Sequence, residues 1–201
     1  MSFEKYISNK KALAITLDDA LYPKKDYLLQ VYYLFSEFMA YTEQLDAKAI
    51  VDFMSKDYNE HGAKNIFAKT AAQFGIPDKY EQNFNLLFET ARLPLKLLLF
   101  QNVLGLLQEL VVDRRPIFII AEGNPAEAIN KIKQIEWNGL EPYLKLYFTV
   151  EYNGSANDTI TALLKEHRLE KDEVVLFVAE NQLGANFVDA DIACFSVTEI
   201  L

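Results

Sequence analysis

The sequence predicts an α/β protein whose parallel sheet core is interrupted by an inserted block of helices. Short, strongly apolar segments alternate with helical segments over residues 103–197. This order is typical of a parallel sheet with helices on both faces. One more apolar segment, Ala12–Leu17, is followed directly by four helical patterns between about residues 24 and 91. The insert therefore follows the first strand of the core.

Hydrophobic periodicity predicts the helices of the insert. The first, from Asp26 to about Leu45, carries apolar residues at spacings of three and four. Three more helical patterns follow, at Ala47–Asn59, Lys64–Phe74 and Lys79–Thr90, with glycines or proline between them. Several tyrosines could line a small-molecule pocket, but we interpret most of them as packing residues. They are Tyr22, Tyr27, Tyr32, Tyr33 and Tyr41.

The remaining core elements follow an apolar connector at Leu93–Phe100. We predict strands at Pro116–Ala121, Lys145–Val150, Val174–Ala179 and Ile192–Val197. We predict helices at Val103–Leu110, Pro125–Glu136 and Asp158–His167. The predicted domains are therefore an α/β core of residues 1–23 and 92–201, and a helical domain of residues 24–91.

Composition excludes several classes of function. The formal net charge of -9 argues against binding to nucleic acid or to an anionic membrane surface, since both need clustered Lys and Arg. The single cysteine, Cys194, allows neither an intramolecular disulfide nor a cysteine zinc site, and we interpret it as a buried structural thiol. His61 and His167 are interpreted as surface or helix-end residues. No apolar run reaches the length of a membrane span, and we expect a cytoplasmic protein.

Polar residues follow three of the predicted strands. Asp18 and Asp19 follow the first strand, Glu122–Asn124 follow the strand that ends at Ala121, and Glu180 follows the strand that ends at Ala179. Ligands of open parallel sheets bind beyond the carboxyl ends of the strands. We therefore expect the functional site at this edge of the sheet.

Three segments resemble motifs of the haloacid dehalogenase-like (HAD) phosphohydrolases. Residues 14–23, Ala-Ile-Thr-Leu-Asp-Asp-Ala-Leu-Tyr-Pro, resemble the first motif, a strand that ends in Asp-x-Asp-x-Thr. Residues 119–125 resemble the second motif and residues 175–181 the fourth. The resemblance covers nearly the whole chain and implies a Rossmann-like parallel sheet core with an inserted helical cap of the C1 type. It also implies Mg²⁺-dependent chemistry through an aspartyl-phosphate.

Carried over residue by residue, the resemblance implies that most of the catalytic groups are missing. Thr16 occupies the position of the nucleophilic Asp, whereas Asp18 is retained at the acid-base position. Ala20 replaces the Thr of the first motif. Ala121 replaces the Thr or Ser that holds the phosphate in the second motif. A neutral hydroxyl at Thr16 is a weak nucleophile without a base.

The lysine and the metal ligands of the family are affected as well. Residues 146–164 contain no Lys or Arg, so the lysine of the third motif is absent. Glu180 replaces the first acidic residue of the fourth motif, and the second falls near Gly184 and is lost. Asp18 and Glu180 are the candidate metal ligands, but two carboxylates are a thin set for Mg²⁺. We expect no cofactor, and Mg²⁺ only if some activity survives.

These observations support a leading hypothesis and two alternatives. The leading one is a pseudoenzyme that binds a small molecule or a protein, with Asp19 and residues 121–124 as remnants of the phosphate-binding loops. The first alternative is a Mg²⁺-dependent phosphatase that acts on a small phosphorylated metabolite by a rearranged mechanism, with Asp18 or Asp19 as the nucleophile. The second is a structural or regulatory homodimer.

Overall fold

The computed structural model describes residues 3–183 and 192–201. The chain forms two compact units. The first consists of Met1–Lys24, Leu98–Ala128 and Ile135–Leu201, and the second of Lys25–Leu97 and Ile129–Gln134. The predicted assignment of residues 24–91 as a cap stays a prediction.

The first unit contains a five-stranded parallel sheet, which confirms the predicted fold class. The strands of the described residues, in chain order, are β1 (Ala12–Thr16), β2 (Leu97–Leu98), β3 (Ile117–Ala121), β4 (Ile135–Glu136), β5 (Leu144–Phe148), β6 (Val174–Val178) and β7 (Ala193–Ser196). Strands β2 and β4 pair with each other and are not part of the five-stranded sheet. The order in the large sheet is β5-β3-β1-β6-β7, and every pair is parallel. Because β1, β3 and β6 are central and covered on both faces, they are buried along their whole length and read as continuous apolar runs.

Helices lie before the first strand and between several of the later ones along the chain. They are α1 (Glu4–Ile7), α2 (Lys24–Glu43), α3 (Ala47–His61), α4 (Ile66–Phe74), α5 (Glu81–Thr90), α6 (Gln101–Val112), α7 (Pro125–Gln134) and α8 (Ala156–His167). Among residues 3–183 and 192–201, none of these helices combines the length and the apolar character that a membrane span requires. Short 3-10 turns lie at Thr149–Tyr152, directly beyond β5, and at Glu180–Gln182, separated from the end of β6 by one residue.

The second unit packs α2–α5 around aromatic side chains. The ring of Phe84 on α5 contacts Tyr32 and Phe35 of α2, with centroids 6.2 and 5.0 Å away. The carboxylate of Asp46 accepts a hydrogen bond of 3.0 Å from the backbone N–H of Ala49, which fixes the start of α3. The periodic aromatic residues of α2 are therefore packing residues. Of the five tyrosines singled out in the sequence, Tyr22, Tyr27 and Tyr32 are fully buried, whereas Tyr33 and Tyr41 are exposed.

The structure shifts most of the predicted element boundaries by one or two residues, and two of these shifts come from short neighbouring elements. Helix α7 ends at Gln134 rather than Glu136, because Ile135–Glu136 form the short strand β4. Strand β5 ends at Phe148 rather than Val150, because Thr149–Tyr152 turn into a 3-10 helix. Elements of two to four residues are too short to give a periodic signal. Cys194 in β7 is half-buried rather than buried, and this partial burial raises the pKa of its thiol.

A hydrogen-bonded group of side chains fastens the end of α8 to β5. The Nε2 atom of His167 lies 2.8 Å from the hydroxyl oxygen of Tyr147, which donates to Oε2 of Glu166 at 2.8 Å. On the other side of the ring, the Lys145 ammonium lies 3.5 Å from Nδ1. Burial, and then the charge of Lys145, lower the pKa of His167 below its usual range.

We expect this histidine to make stability fall on mild acidification. An unfolded histidine titrates near about pH 6.5, and the folded His167 titrates lower. Just below pH 6.5 the unfolded chain therefore binds more protons, so the contribution of His167 is complete above that pH and is lost as the pH falls. His167→Gln should lose this part of the pH dependence. Urea unfolding at pH 7.5, 6.5 and 5.5 measures it, and equal pH slopes in the two proteins would contradict it.

Candidate functional site

The strand order brings the predicted site residues to one edge of the sheet. Strand β1 lies between β3 and β6, so the carboxyl ends of these three strands are neighbours. Thr16, the last residue of β1, pairs with Ile120, one residue before the end of β3. The loops that contain Asp18, Glu122 and Glu180 therefore leave the sheet side by side.

One glutamine links the ends of these three strands. The Gln182 side-chain oxygen accepts a hydrogen bond of 2.8 Å from the hydroxyl of Thr16, which is 1% exposed. The same oxygen accepts a second hydrogen bond, 3.2 Å long, from the backbone N–H of Ala179, the residue after the end of β6. The Gln182 amide nitrogen donates 2.7 Å to a carboxylate oxygen of Glu122, beyond β3. Because a backbone N–H only donates and a carboxylate only accepts, these partners fix the orientation of the amide.

A short turn places Gln182 in this position. Residues Glu180–Gln182 form a 3-10 turn. It is closed by a hydrogen bond of 2.9 Å from the backbone N–H of Gln182 to the carbonyl oxygen of Ala179. The turn folds the chain back over the end of β6, so the Gln182 side chain reaches the end of β1. The Gln182 side chain in turn bonds the N–H of Ala179, so the turn and the amide stabilise each other.

Asp18 is held by two residues that lie four and six positions after it in the chain. The hydroxyl of Tyr22, which is fully buried, donates 2.7 Å to Oδ1 of Asp18, and the Lys24 ammonium lies 3.4 Å from Oδ2. The loop closes through a hydrogen bond of 3.0 Å from the N–H of Asp19 to the carbonyl of Tyr22. Asp19 adopts a left-handed conformation, φ 57°, which Asp tolerates better than most residues. Its side chain accepts 2.8 Å from the N–H of Lys24 at the start of α2.

The segment that resembles the second motif forms a helix start. Ala121 is buried at the end of β3 and offers no hydroxyl. Gly123 turns the chain with a φ of 81°, a conformation that favours glycine. The side chain of Asn124 then accepts 2.9 Å from the N–H of Ala126, so that it caps α7. Apart from its link to Gln182, this loop has the geometry of a turn and helix cap.

The donor set does not fit a divalent cation. Glu180 is exposed at the start of its turn, and the described residues contain no group of three or more His, Cys, Asp or Glu side chains able to hold a metal ion. The oxygens of Asp18 contact a hydroxyl and an ammonium group, and the Thr16 hydroxyl is neutral. Mg²⁺ prefers oxygen ligands that carry negative charge, so we derive no step through a metal. Gly184, the other predicted position, lies outside the described residues.

Three side chains of the candidate site were not assigned to it from the sequence, and Tyr22 was singled out only as a possible pocket-lining residue. Tyr22 and Lys24 are four and six residues beyond Asp18, and Gln182 is three beyond the last residue of the fourth motif strand. For Tyr22 and Lys24, a signal was available in their closeness to the first motif. For Gln182 it was weak, because a turn after a strand gives no indication of the direction of its side chains.

Comparisons with known proteins agree on the fold. No protein-family model matches the sequence, and no curated protein matches it. Solved structures do match. A HAD family hydrolase from Deinococcus radiodurans R1, with bound phosphate and sodium, is 15% identical over 94% of this chain and 80% of its own, with a TM-score of 0.57. The L-2-haloacid dehalogenase PA0810 is 14% identical over 92% and 83%, also with a TM-score of 0.57.

A third solved structure gives the same result. A HAD hydrolase of family IA, variant 3, from Entamoeba histolytica is 15% identical over 92% of this chain and 83% of its own, with a TM-score of 0.57. At these identities the likeness establishes the fold. The chain therefore has the HAD-like α/β fold that its motifs imply.

Proposed function

We propose that this protein is a catalytically inactive relative of the HAD-like hydrolases that acts by binding. One observation carries the proposal. The polar side chains at the ends of β1, β3 and β6 satisfy one another, through the chain from Thr16 to Gln182 to Glu122. In an active phosphohydrolase of this fold, the same edge would present a carboxylate nucleophile and groups that hold a phosphoryl oxygen.

The position of the nucleophile supports this proposal most directly. A hydroxyl needs a neighbouring base to become a nucleophile. The Thr16 hydroxyl instead donates its proton to an amide oxygen, which is far too weak a base to remove it. The neighbouring Glu122 carboxylate would also oppose the approach of a phosphate. Loss of a nucleophile in a set of cooperating groups lowers the rate by about 10⁴–10⁶.

One observation favours the alternative, a phosphatase with a rearranged mechanism. Lys24 lies 3.4 Å from Asp18, so the site contains a cation even though residues 146–164 supply none. A lysine beside a carboxylate could hold a phosphoryl group for attack by Asp18. Against this, both oxygens of Asp18 already contact partners, and no second carboxylate takes the acid-base role at Ala20.

A phosphatase assay separates the two functions. Wild type, Asp18→Asn and Lys24→Met are incubated with a panel of small phosphate esters, with and without Mg²⁺. We expect all three to release phosphate at the rate of the buffer. Turnover by wild type that both substitutions abolish would overturn the proposal and establish the alternative. Turnover that neither substitution changes would identify a contaminating enzyme, which a second purification would remove.

The kind of ligand follows from the charges. The site has lost the groups that hold phosphate, and the whole chain carries a net charge of -9. A neutral small molecule or a protein surface is therefore a better fit than a phosphate ester, a nucleic acid or an anionic membrane. A homodimer also remains a proposal, and light scattering over a hundredfold range of concentration tests it. A constant monomer mass would exclude it.

A further inference from the structure

The former catalytic edge of the sheet is built to hold a carboxamide. We propose that Thr16, Ala179 and Glu122 form a binding site for a small molecule that carries a primary carboxamide, and that the side chain of Gln182 is its internal occupant. This inference rests on the proposed binding function and specifies its ligand class. The evidence is the set of groups that surround the amide, which matches both ends of a carboxamide.

Each atom of the amide has a partner of the right chemistry. Two donors, the Thr16 hydroxyl and the Ala179 N–H, converge on the amide oxygen at 2.8 and 3.2 Å. One acceptor, the carboxylate of Glu122, takes a proton of the amide nitrogen at 2.7 Å. Donors at one end and a carboxylate at the other distinguish a primary amide from groups of similar shape.

The same arrangement rejects anionic ligands. A carboxylate in place of the amide would put an anionic oxygen against Glu122, with no proton between them. A phosphate would do the same, and the donors that the described residues place at the other end, the Thr16 hydroxyl and the Ala179 N–H, are both neutral. Discrimination by a site that leaves polar groups unpaired against the wrong ligand reaches several orders of magnitude. The site therefore selects a neutral carboxamide.

The Gln182 side chain, which occupies the site in this structure, belongs to a short turn that can open. Gln182 is half-buried at the end of a three-residue 3-10 turn, and its neighbours Asn181 and Leu183 are exposed. Among the described residues, the backbone bonds of this turn are short-range, from Gln182 to Ala179 and from Leu183 to Glu180. A ligand amide would compete with the Gln182 amide for the same three partners. Binding would thus exchange one amide for another and release the turn.

Chemical rescue tests the site directly. Gln182→Ala removes a fragment equivalent to acetamide, so free acetamide should occupy the space that it leaves. Three hydrogen bonds of ordinary net strength correspond to a Kd on the order of 10 mM. At 100 mM acetamide, we expect the Tm of Gln182→Ala to rise by roughly 3–6 °C. Wild type should shift by less than about 1 °C, because its own amide is present.

Two controls make the result specific. Sodium acetate has the shape of acetamide but should not raise the Tm, and the double variant Thr16→Val, Gln182→Ala should lose the response to acetamide. In ¹H–¹⁵N spectra of Gln182→Ala, acetamide should return the Ala179 amide resonance towards its wild-type position. Should Gln182→Ala fail to fold, Gln182→Ser, whose hydroxyl can still bond the Ala179 N–H, is tested in the same way.

Several outcomes would overturn the inference. They are equal shifts with acetamide and acetate, an undiminished response in the double variant, or no response in a folded Gln182 variant. None of these outcomes bears on the phosphatase assay. A negative result here would exclude the carboxamide site but would leave the proposed function, an inactive relative that acts by binding, unaffected. Phosphatase activity, in contrast, would contradict the proposed function whatever the result with acetamide.

Discussion

Thr16→Asp, which introduces the carboxylate that the resemblance to HAD-like hydrolases implies at the nucleophile position, is expected to destabilise the protein by about 3–5 kcal/mol at pH 7. Thr16 is almost completely buried, and its hydroxyl donates to the Gln182 oxygen. An ionised Asp has no proton to donate, so it would face that oxygen with a negative charge. The Glu122 carboxylate, at the other end of the same amide, adds to the repulsion.

Urea unfolding of three proteins separates the charge from the lost hydrogen bond. Thr16→Val has nearly the same shape and lacks only the hydroxyl, so it should cost about 1–2 kcal/mol. Most of the larger cost of Thr16→Asp should disappear near pH 4, where the buried carboxyl is protonated and can donate as the threonine does. Thr16→Asp should also release no phosphate from esters.

A stable Thr16→Asp protein at pH 7 would contradict this picture of the site. It would mean that the end of β1 accepts a carboxylate, as the resemblance to active HAD-like hydrolases implies for this position. Phosphatase activity in the same variant would mean that the remaining groups still form a catalytic unit. Both results would move the proposed function towards the rearranged phosphatase.

Much of the fold could be predicted from the sequence because its central strands are continuous apolar runs. Strands β1, β3 and β6 are buried on both faces, and that burial requires an apolar residue at every position. The edge strand β5 was predicted less accurately, since only part of it is buried and its end runs into a 3-10 turn. The two-residue strands β2 and β4 leave no pattern to find.

The candidate site was predictable only where it coincides with a motif. Thr16 and Asp18 lie where the first motif places them, and Glu122 lies within the segment that resembles the second. The partner that connects them, Gln182, is 166 residues from Thr16, and only the folded sheet brings the two together. Lys24 was missed for a similar reason, because a lysine was expected in residues 146–164 rather than at the start of α2. The sequence therefore predicts which catalytic groups are missing, whereas the structure is needed to find which side chains lie at those positions.

Phe84→Ala is expected to cost about 3–5 kcal/mol in the free energy of unfolding. Phe84 is 4% exposed at the centre of the second unit. Its ring meets Phe67 and Phe88 at 5.7 and 5.2 Å, in addition to the two rings of α2. Removing the ring leaves a cavity that four aromatic neighbours can fill only in part. Aromatic pairs also contribute beyond their buried area, by about 0.5–1.5 kcal/mol each.

The matched control lies on the same helix. Leu86 is 50% exposed, and Leu86→Ala should cost less than about 1 kcal/mol, because little of its surface is removed from water. Urea unfolding followed by circular dichroism compares the two variants. A small cost for Phe84→Ala, similar to that of Leu86→Ala, would mean that the aromatic cluster is a loosely packed surface open to a ligand. A large difference would establish that the aromatic residues of α2 and α5 form a core, which leaves the carboxyl edge of the sheet as the place to look for a ligand.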